Sequence, residues 1–195
     1  IDTGWYEKTG DWNVSLARFP NGLRDVRERL ERYGMRLGLW FNPAAAAESS
    51  AVFRAHPEYE MSWDGQSPPH APIWETEQSA TMCMVSGYAD EYLQTMVRLH
   101  RELGVTYYKW DALGQFGCNS PLHEHGGAEN PPEERAACFA FEVGRRLTRI
   151  AEEASRQCPG IIVDWDMTEC GRYMGLGFLS AGKFFLMNNG PYMGN

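Results

Sequence analysis

Two hydrophobic patterns alternate along the chain, a helical stripe and a short unbroken run. Leu23, Val26, Leu30 and Tyr33 recur at helical spacing after Asn21-Gly22, and Gly34 stands where a left-handed residue ends a helix, so residues 21–33 are predicted to form a surface helix. The run from Met35 to Phe41, stopped by Asn42-Pro43, suits a strand buried on both faces. Tyr88, Tyr92, Met96, Leu99 and Leu103 make the next stripe, which ends in Gly104, and the run from Val105 to Trp110 makes the next strand. Pro131-Pro132-Glu133-Glu134 opens a long helix reaching Arg156, since proline and acids suit a first turn and Phe139, Val143, Leu147 and Ile150 supply its apolar face. Cys158-Pro159-Gly160 breaks it. The runs 161–166 and 184–187 read as two further strands, with a short helix near 171–180 between them.

Strands that alternate with helices demand a parallel sheet with right-handed crossovers, covered by helices, and the fold class is therefore α/β. The glycine-rich phosphate fingerprint of a dinucleotide-binding sheet is missing: Gly175-Leu176-Gly177 belongs to no GxGxxG, because Ala181-Gly182 comes too late. Polar and acidic residues recur instead where strands end, at Asp2, at Asn42, at Asp111, at Asp166 with Glu169, and at Asn188-Asn189. In a TIM barrel all strand C-termini meet at one face, so side chains far apart in sequence converge there on a substrate. A complete barrel takes about 250 residues. The expectation is therefore a partial (β/α)8 TIM barrel, with residues 1–195 as a single, incomplete catalytic domain.

Composition narrows the picture. With 43% hydrophobic and 23% charged residues the 195-residue chain sits near the globular average, which excludes disorder, a collagen-like repeat and a disulfide-stapled miniprotein. A net charge of -8 with no Lys/Arg-rich stretch argues against nucleic acid as a partner. The longest apolar runs, such as Ala44 to Ala47, fall far short of the roughly 20 residues that cross a bilayer, so no membrane partner is expected. Cys83, Cys118, Cys138, Cys158 and Cys170 are odd in number and widely spaced, which favours a reducing, cytoplasmic compartment over a disulfide framework. A start at Ile1 and an end in the loop-like 188–195 read as a piece of a longer protein, whose parent has room to oligomerise.

The most informative segment is Tyr107-Tyr108-Lys109-Trp110-Asp111, in which a carboxylate leaves a buried strand beside a lysine and a tryptophan. Lysine would keep the aspartate ionised, as a nucleophile must be, and the indole offers an apolar ring to a sugar face. The segment reads equally as a buried Lys-Asp ion pair that serves only the fold. Alternation sends Asp164 and Asp166 to one face of the next strand, and two carboxylates flanking a glycosidic bond are what glycoside hydrolysis uses. For Thr168 and Glu169 a helix N-cap with an acid in the first turn is an equal alternative. Trp5, Tyr6, Trp12, Trp40, Phe41, Trp63, Trp74 and Trp110 sit in predicted strand ends or loops, where aromatic faces would stack on pyranose rings; core packing accounts for about half of them. His123-Glu124-His125, followed by Gly126-Gly127, has no cysteine partner at zinc spacing, so no metal and no other cofactor is expected and the segment reads as a mobile loop.

These residues also carry a family resemblance. Asp2-Thr3-Gly4-Trp5-Tyr6, Gly10-Asp11-Trp12, Phe19-Pro20-Asn21-Gly22-Leu23, the run Gly34 to Pro43, His56-Pro57-Glu58-Tyr59 and Lys109-Trp110-Asp111 follow the order of the melibiase-type α-galactosidases of glycoside hydrolase family 36 and their clan. The resemblance runs from residue 1 to about residue 111, and more loosely beyond. It implies a (β/α)8 barrel represented by roughly strands 2 to 6, and a retaining double displacement on an α-linked sugar such as galactose. By the same resemblance Asp111 is the nucleophile, while Asp2, Trp40 and Lys109 hold the sugar. Cys170 resembles the cysteine that the family places after its fifth strand, and Trp5, Trp110, Arg172 and Asn188 complete the expected substrate-binding set. The chain departs from the family at Thr3, where a second aspartate is usual, and at Leu113, where an asparagine is usual. Asn188-Asn189 matches the position of the family's acid/base aspartate and cannot deliver a proton, which leaves Asp166, then Glu169, as the displaced acid. The alternatives are a noncatalytic carbohydrate-binding barrel that has lost its acid/base, or another carbohydrate enzyme on the same scaffold.

Overall fold

A computed structural model describes residues 1–73, 77–165 and the backbone of 184–185. Helix α1 (Arg24–Arg32) precedes strand β1 (Leu37–Phe41), and Gly34 between them takes φ +64°, the left-handed conformation its position requires. After β1 come two short strands and two short helical turns, β2 (Ala45–Ala47), α2 (Ala51–Ala55), a 3-10 turn (Pro57–Tyr59) and β3 (Ala71–Pro72), and then β4 (Gln78–Thr81). Helix α3 (Tyr88–Leu103), strand β5 (Val105–Trp110), helix α4 (Pro132–Gln157), strand β6 (Ile162–Trp165) and strand β7 (Phe184–Phe185) complete the order. Gly104 closes α3 with φ +71°, and β5 starts at the next residue.

Strands β1, β5, β6 and β7 form one parallel sheet in that spatial order. Each neighbours the next along the chain, and α3 and α4 are the crossovers. The predicted alternation appears through β6 with boundaries moved by up to three residues, and the helix expected near 171–180 lies outside the described residues. The structure adds a three-stranded antiparallel sheet, ordered β2-β4-β3, between β1 and α3. Its strands show no apolar alternation, β2 being Ala-Ala-Ala, β3 two residues long and β4 carrying one β-branched residue, Thr81, so periodicity cannot find them.

Register decides which side chains share a face. Trp40 pairs with Lys109 and Lys109 with Asp164, while Phe41 pairs with Trp110 and Trp110 with Trp165. Phe41, Tyr108, Trp110 and Trp165 lie fully buried on the helix side of the sheet. There Phe41 stacks on Tyr108 at 5.4 Å, Trp110 meets Tyr92 of α3 at 5.7 Å, and the Tyr108 hydroxyl donates to the Met96 carbonyl at 2.8 Å. Trp5 and Trp12, stacked at 6.0 Å, extend this aromatic core beside Phe41. The opposite face carries Trp40, Tyr107, Lys109 and Asp164. Among the described residues no helix is long and apolar enough to cross a membrane.

The added sheet is fastened by His70, whose Nδ1 lies 2.6 Å from Glu48 and whose Nε2 lies 2.8 Å from Glu60. The Glu48 hydrogen bond raises the imidazole pKa above 6.5, desolvation opposes it, and Glu60 adds to the rise. A folded pKa raised above the unfolded value contributes stability that is fully present below pH 6.5 and is lost as pH climbs through the higher folded value. His70→Gln should therefore flatten the decline in denaturation midpoint above pH 6.5 that the unsubstituted chain shows, and urea titrations across that window would measure it.

Candidate active site

β5 ends at Trp110, and the amide of Asp111 still donates to the Phe41 carbonyl at 2.9 Å, so residue 111 sits at the C-terminal edge of the sheet. The next residue, Ala112, takes φ +52°, and its N–H donates to Asp111 Oδ1 at 2.6 Å. Trp40 lies on the same face as Lys109, and its indole Nε1 donates to Asp111 Oδ2 at 2.7 Å. Lys109 Nζ stands 3.6 Å from Asp111 Oδ2 and 3.7 Å from Asp2 Oδ2. Asp2 comes there because the Trp40 amide donates to the Ile1 carbonyl at 3.0 Å, laying the first residues along the outer edge of β1. The arrangement is one lysine shared by two carboxylates, one of them also held at both oxygens.

Exposure separates the two acids. The Asp111 side chain is 15% exposed and that of Lys109 26%, whereas the Asp2 side chain is 68% exposed. Charge-assisted bonds in a partly buried setting are stronger and better oriented than those in open water, so Asp111 is the positioned carboxylate and Asp2 the accessible one.

Several expected residues fall elsewhere. Trp5 and Trp110 are packed into the helix-side core and present no face to a sugar. For Trp110 the reason is parity: adjacent residues of a strand point to opposite faces, so it cannot share the face of Lys109 and Asp111. Trp5 spends its Nε1 proton on the Trp40 carbonyl at 2.9 Å and so supports the site from behind. Trp40 stays at the site, but its ring is buried and it acts through its N–H rather than as a stacking surface. Tyr6, Trp12 and Phe41 belong to the same core, leaving Trp63 as the exposed one of the described aromatics in that set. Asp166, Glu169, Cys170, Arg172 and Asn188 lie outside the described residues, as does Trp74. Asp164 is described: it is buried on the Lys109 face, with Oδ2 accepting from the Tyr107 hydroxyl at 2.5 Å.

At His123-Glu124-His125 the structure places cysteine neighbours that the sequence spacing does not supply. Both histidines are buried and meet Cys83 and Cys118, with the four ligand-capable atoms all within 4.8 Å of one another. The Cys118 thiol is held well below the usual thiol range by the Cys83 sulfur beside it, against an opposing effect of burial, while burial pushes Cys83 up. Cysteine partners exist: Cys118 from earlier in the same connection and Cys83 from the segment after β4.

Fold and site define a class of protein, an α/β chain with a buried-edge carboxylate at the C-terminal rim of a parallel sheet. Residues 1–180 match the melibiase family model, and the chain belongs to that family. Similar curated proteins include α-galactosidase 2 of Pediococcus pentosaceus, 24% identical over 183 residues, covering 89% of this chain and 24% of that protein. The A type blood α-D-galactosamine galactosaminidase of Flavonifractor plautii is 27% identical, over 71% of this chain and 14% of its own length. Among solved structures, a variant of the Geobacillus stearothermophilus α-galactosidase AgaA, of glycoside hydrolase family 36, in complex with raffinose superposes with a TM-score of 0.69. The match has 23% identity and covers 97% of this chain and 26% of that one. The α-galactosidase TtGalA of Thermus thermophilus in complex with stachyose gives 0.60 at 21% identity, over 95% and 35%. The chain thus spans about a quarter of the length of the first curated relatives it matches.

Left-handed backbone at an alanine stores strain of the kind found at functional turns, and here it falls on the residue directly after Asp111. Ala112→Val should destabilise the fold by about 1–2 kcal/mol, because a β-branched residue tolerates this conformation worst. Ala112→Gly should not. Chemical denaturation of the two variants side by side would check the contrast.

Proposed function

We propose that the chain supplies about strands 2 to 6 of a (β/α)8 catalytic barrel, as one incomplete domain of an enzyme that hydrolyses α-linked galactose or a close analogue. Strand order supports the barrel. Each parallel strand lies beside its sequence successor with no reversal, as in a barrel and unlike a doubly wound sheet, whose order turns back at a switch point. Membership of the melibiase family supports the substrate class.

The observation that carries the reading is the carboxylate of Asp111 at the strand C-terminus, with Oδ1 and Oδ2 each accepting a hydrogen bond and Lys109 alongside. In a retaining double displacement this carboxylate attacks the anomeric carbon as the glycosidic C–O bond breaks. A second carboxyl group protonates the departing oxygen and then, as a carboxylate, deprotonates the water that releases the sugar. Holding the nucleophile in one orientation removes conformational cost from the transition state. Lys109 screens Asp111 from Asp2 and leaves the exposed Asp2 to accept from sugar hydroxyls. Asp166 is the first candidate for the proton donor and Glu169 the second, with Cys170, Arg172 and Asn188 as further contacts to the sugar. Departures at Thr3 and Leu113 bear on which hydroxyls are read.

Asp111→Asn in the full-length protein should lower turnover of an aryl α-galactoside by about 10³-fold or more. A 2-fluoro glycosyl inactivator should label Asp111 in the unsubstituted enzyme; tight sugar binding without labelling or turnover would mark a noncatalytic sugar-binding barrel instead. Trp40→Phe removes one charge-assisted bond, worth about 1.5–3 kcal/mol, and should reduce kcat/KM by roughly ten- to a hundredfold while Asp111 remains labelled.

A further inference from the structure

We propose that Cys83, Cys118, His123 and His125 form a closed site for a structural zinc ion, one that fastens the loop leaving Asp111 to the segment that follows the antiparallel sheet. The four donors come from two stretches of chain. Cys83 follows β4, Cys118 lies seven residues after Asp111, and the two histidines lie a few residues further on, before α4. All four are buried, and their donor atoms lie within 4.8 Å of one another. Zinc bonds of about 2.3 Å to sulfur and about 2.0–2.1 Å to nitrogen draw such a set into a tetrahedron with only small side-chain movement.

His125 is the strongest sign. It is 1% exposed, and among the described residues neither Nδ1 nor Nε2 has a hydrogen-bond partner. A buried imidazole with two idle nitrogens is costly unless one lone pair is used, and a metal ion uses it. His123 is arranged differently and to the same end. Its Nε2 faces the Glu58 carbonyl at 2.8 Å, an acceptor only, so the ring proton sits there and the Nδ1 lone pair faces Cys118 Sγ at 3.2 Å. Metal-binding histidines are commonly fixed in this way, the far N–H tied to a carbonyl. Cys118 Sγ in turn accepts the backbone N–H of Ser62 at 3.4 Å, as a metal thiolate does.

Charge and donor type select the ion. Two thiolates and two neutral imidazoles cancel the charge of a divalent cation, so the filled site is neutral and suits its lining of Met61, Val85 and Phe139. Glu124, between the histidines, turns outward to pair with Arg146, so among the described residues no carboxylate joins the set. Two sulfurs and two nitrogens suit zinc, whereas calcium and magnesium require oxygen. With four protein ligands no position stays open for water, which makes the role structural rather than catalytic. The need is visible in the connection from β5 to α4, which contains no helix or strand of its own across 111–131. A crosslink at 118, 123 and 125 orders such a segment where hydrophobic contacts are few.

The test is metal content, which is independent of hydrolytic activity. Full-length protein purified under reducing conditions without added chelator should contain about one zinc per chain by elemental analysis. His125→Gln and Cys118→Ser should lose it, and Cys138→Ser, outside the cluster, should keep it. Should the substitutions impair folding, the unsubstituted protein serves alone: chelation should lower its thermal midpoint, zinc should restore it, and cobalt(II) should give the visible spectrum of tetrahedral thiolate ligation. The inference is overturned if the reduced protein holds no zinc and gains none on reconstitution, or if thiol counting finds Cys83 and Cys118 joined in a disulfide in the native protein.

Discussion

The two-residue alternation of β5 is the constraint on which the rest depends. One extended strand sends Tyr108 and Trp110 into the aromatic core beneath the helices and, by the same geometry, sends Tyr107, Lys109 and Asp111 to the other face. A slip of one residue would bury the lysine and carboxylate among Tyr92, Phe41 and Trp165, and would expose two aromatic rings in their place. The core therefore fixes the register, and the register fixes the site. Neighbouring strands repeat the same parity, so that Trp40 from β1 and Asp164 from β6 arrive beside Lys109 without any loop having to place them.

A carboxylate held this way is rigid for reasons that reach well behind it. Trp5 donates to the Trp40 carbonyl, Trp40 donates to Asp111, and Asp111 itself continues the ladder with Phe41. Trp5 also stacks on Trp12 and meets Phe41 edge-on at 5.3 Å. Large aromatic groups have few rotamers and bury much surface, so they lose little freedom in acting as supports. The tryptophans in this part of the chain, Trp5, Trp12 and Trp40, work as a scaffold for one acidic group.

How much of this was legible in the sequence follows from the range of each signal. Helices α1, α3 and α4 and strands β1, β5 and β6 announce themselves through local periodicity and through the glycines at 34 and 104, all within one element's length. Asp111 and Lys109 were legible because they sit at the end of an apolar run. Trp110 leaves the site for a reason its own strand already implies, the parity it shares with Tyr108, whereas Trp5 lies in no strand and its burial follows from long-range packing that no local pattern carries. The antiparallel sheet was illegible because alanine and serine carry almost no strand preference and its pairing partners lie outside any window.

Cys83, Cys118, His123 and His125 show the remaining gap most clearly, since no spacing rule connects a cysteine after β4 to a cysteine and two histidines after β5. What joins them is topology. The antiparallel excursion returns the chain past the C-terminal edge of β1, where the Met84 amide donates to the Gln115 side chain at 3.0 Å and the Asn119 amide to the Ser62 carbonyl at 3.0 Å. Buried Arg135 of α4 then clamps the Asn119 carbonyl through Nε at 2.6 Å. The loop that begins at the proposed nucleophile is thus gripped from both sides, by the added sheet and by α4. An insertion that resembles decoration in the sequence becomes a brace for the rim of the site, so its loss would disturb the position of Asp111 before it disturbed the parallel sheet.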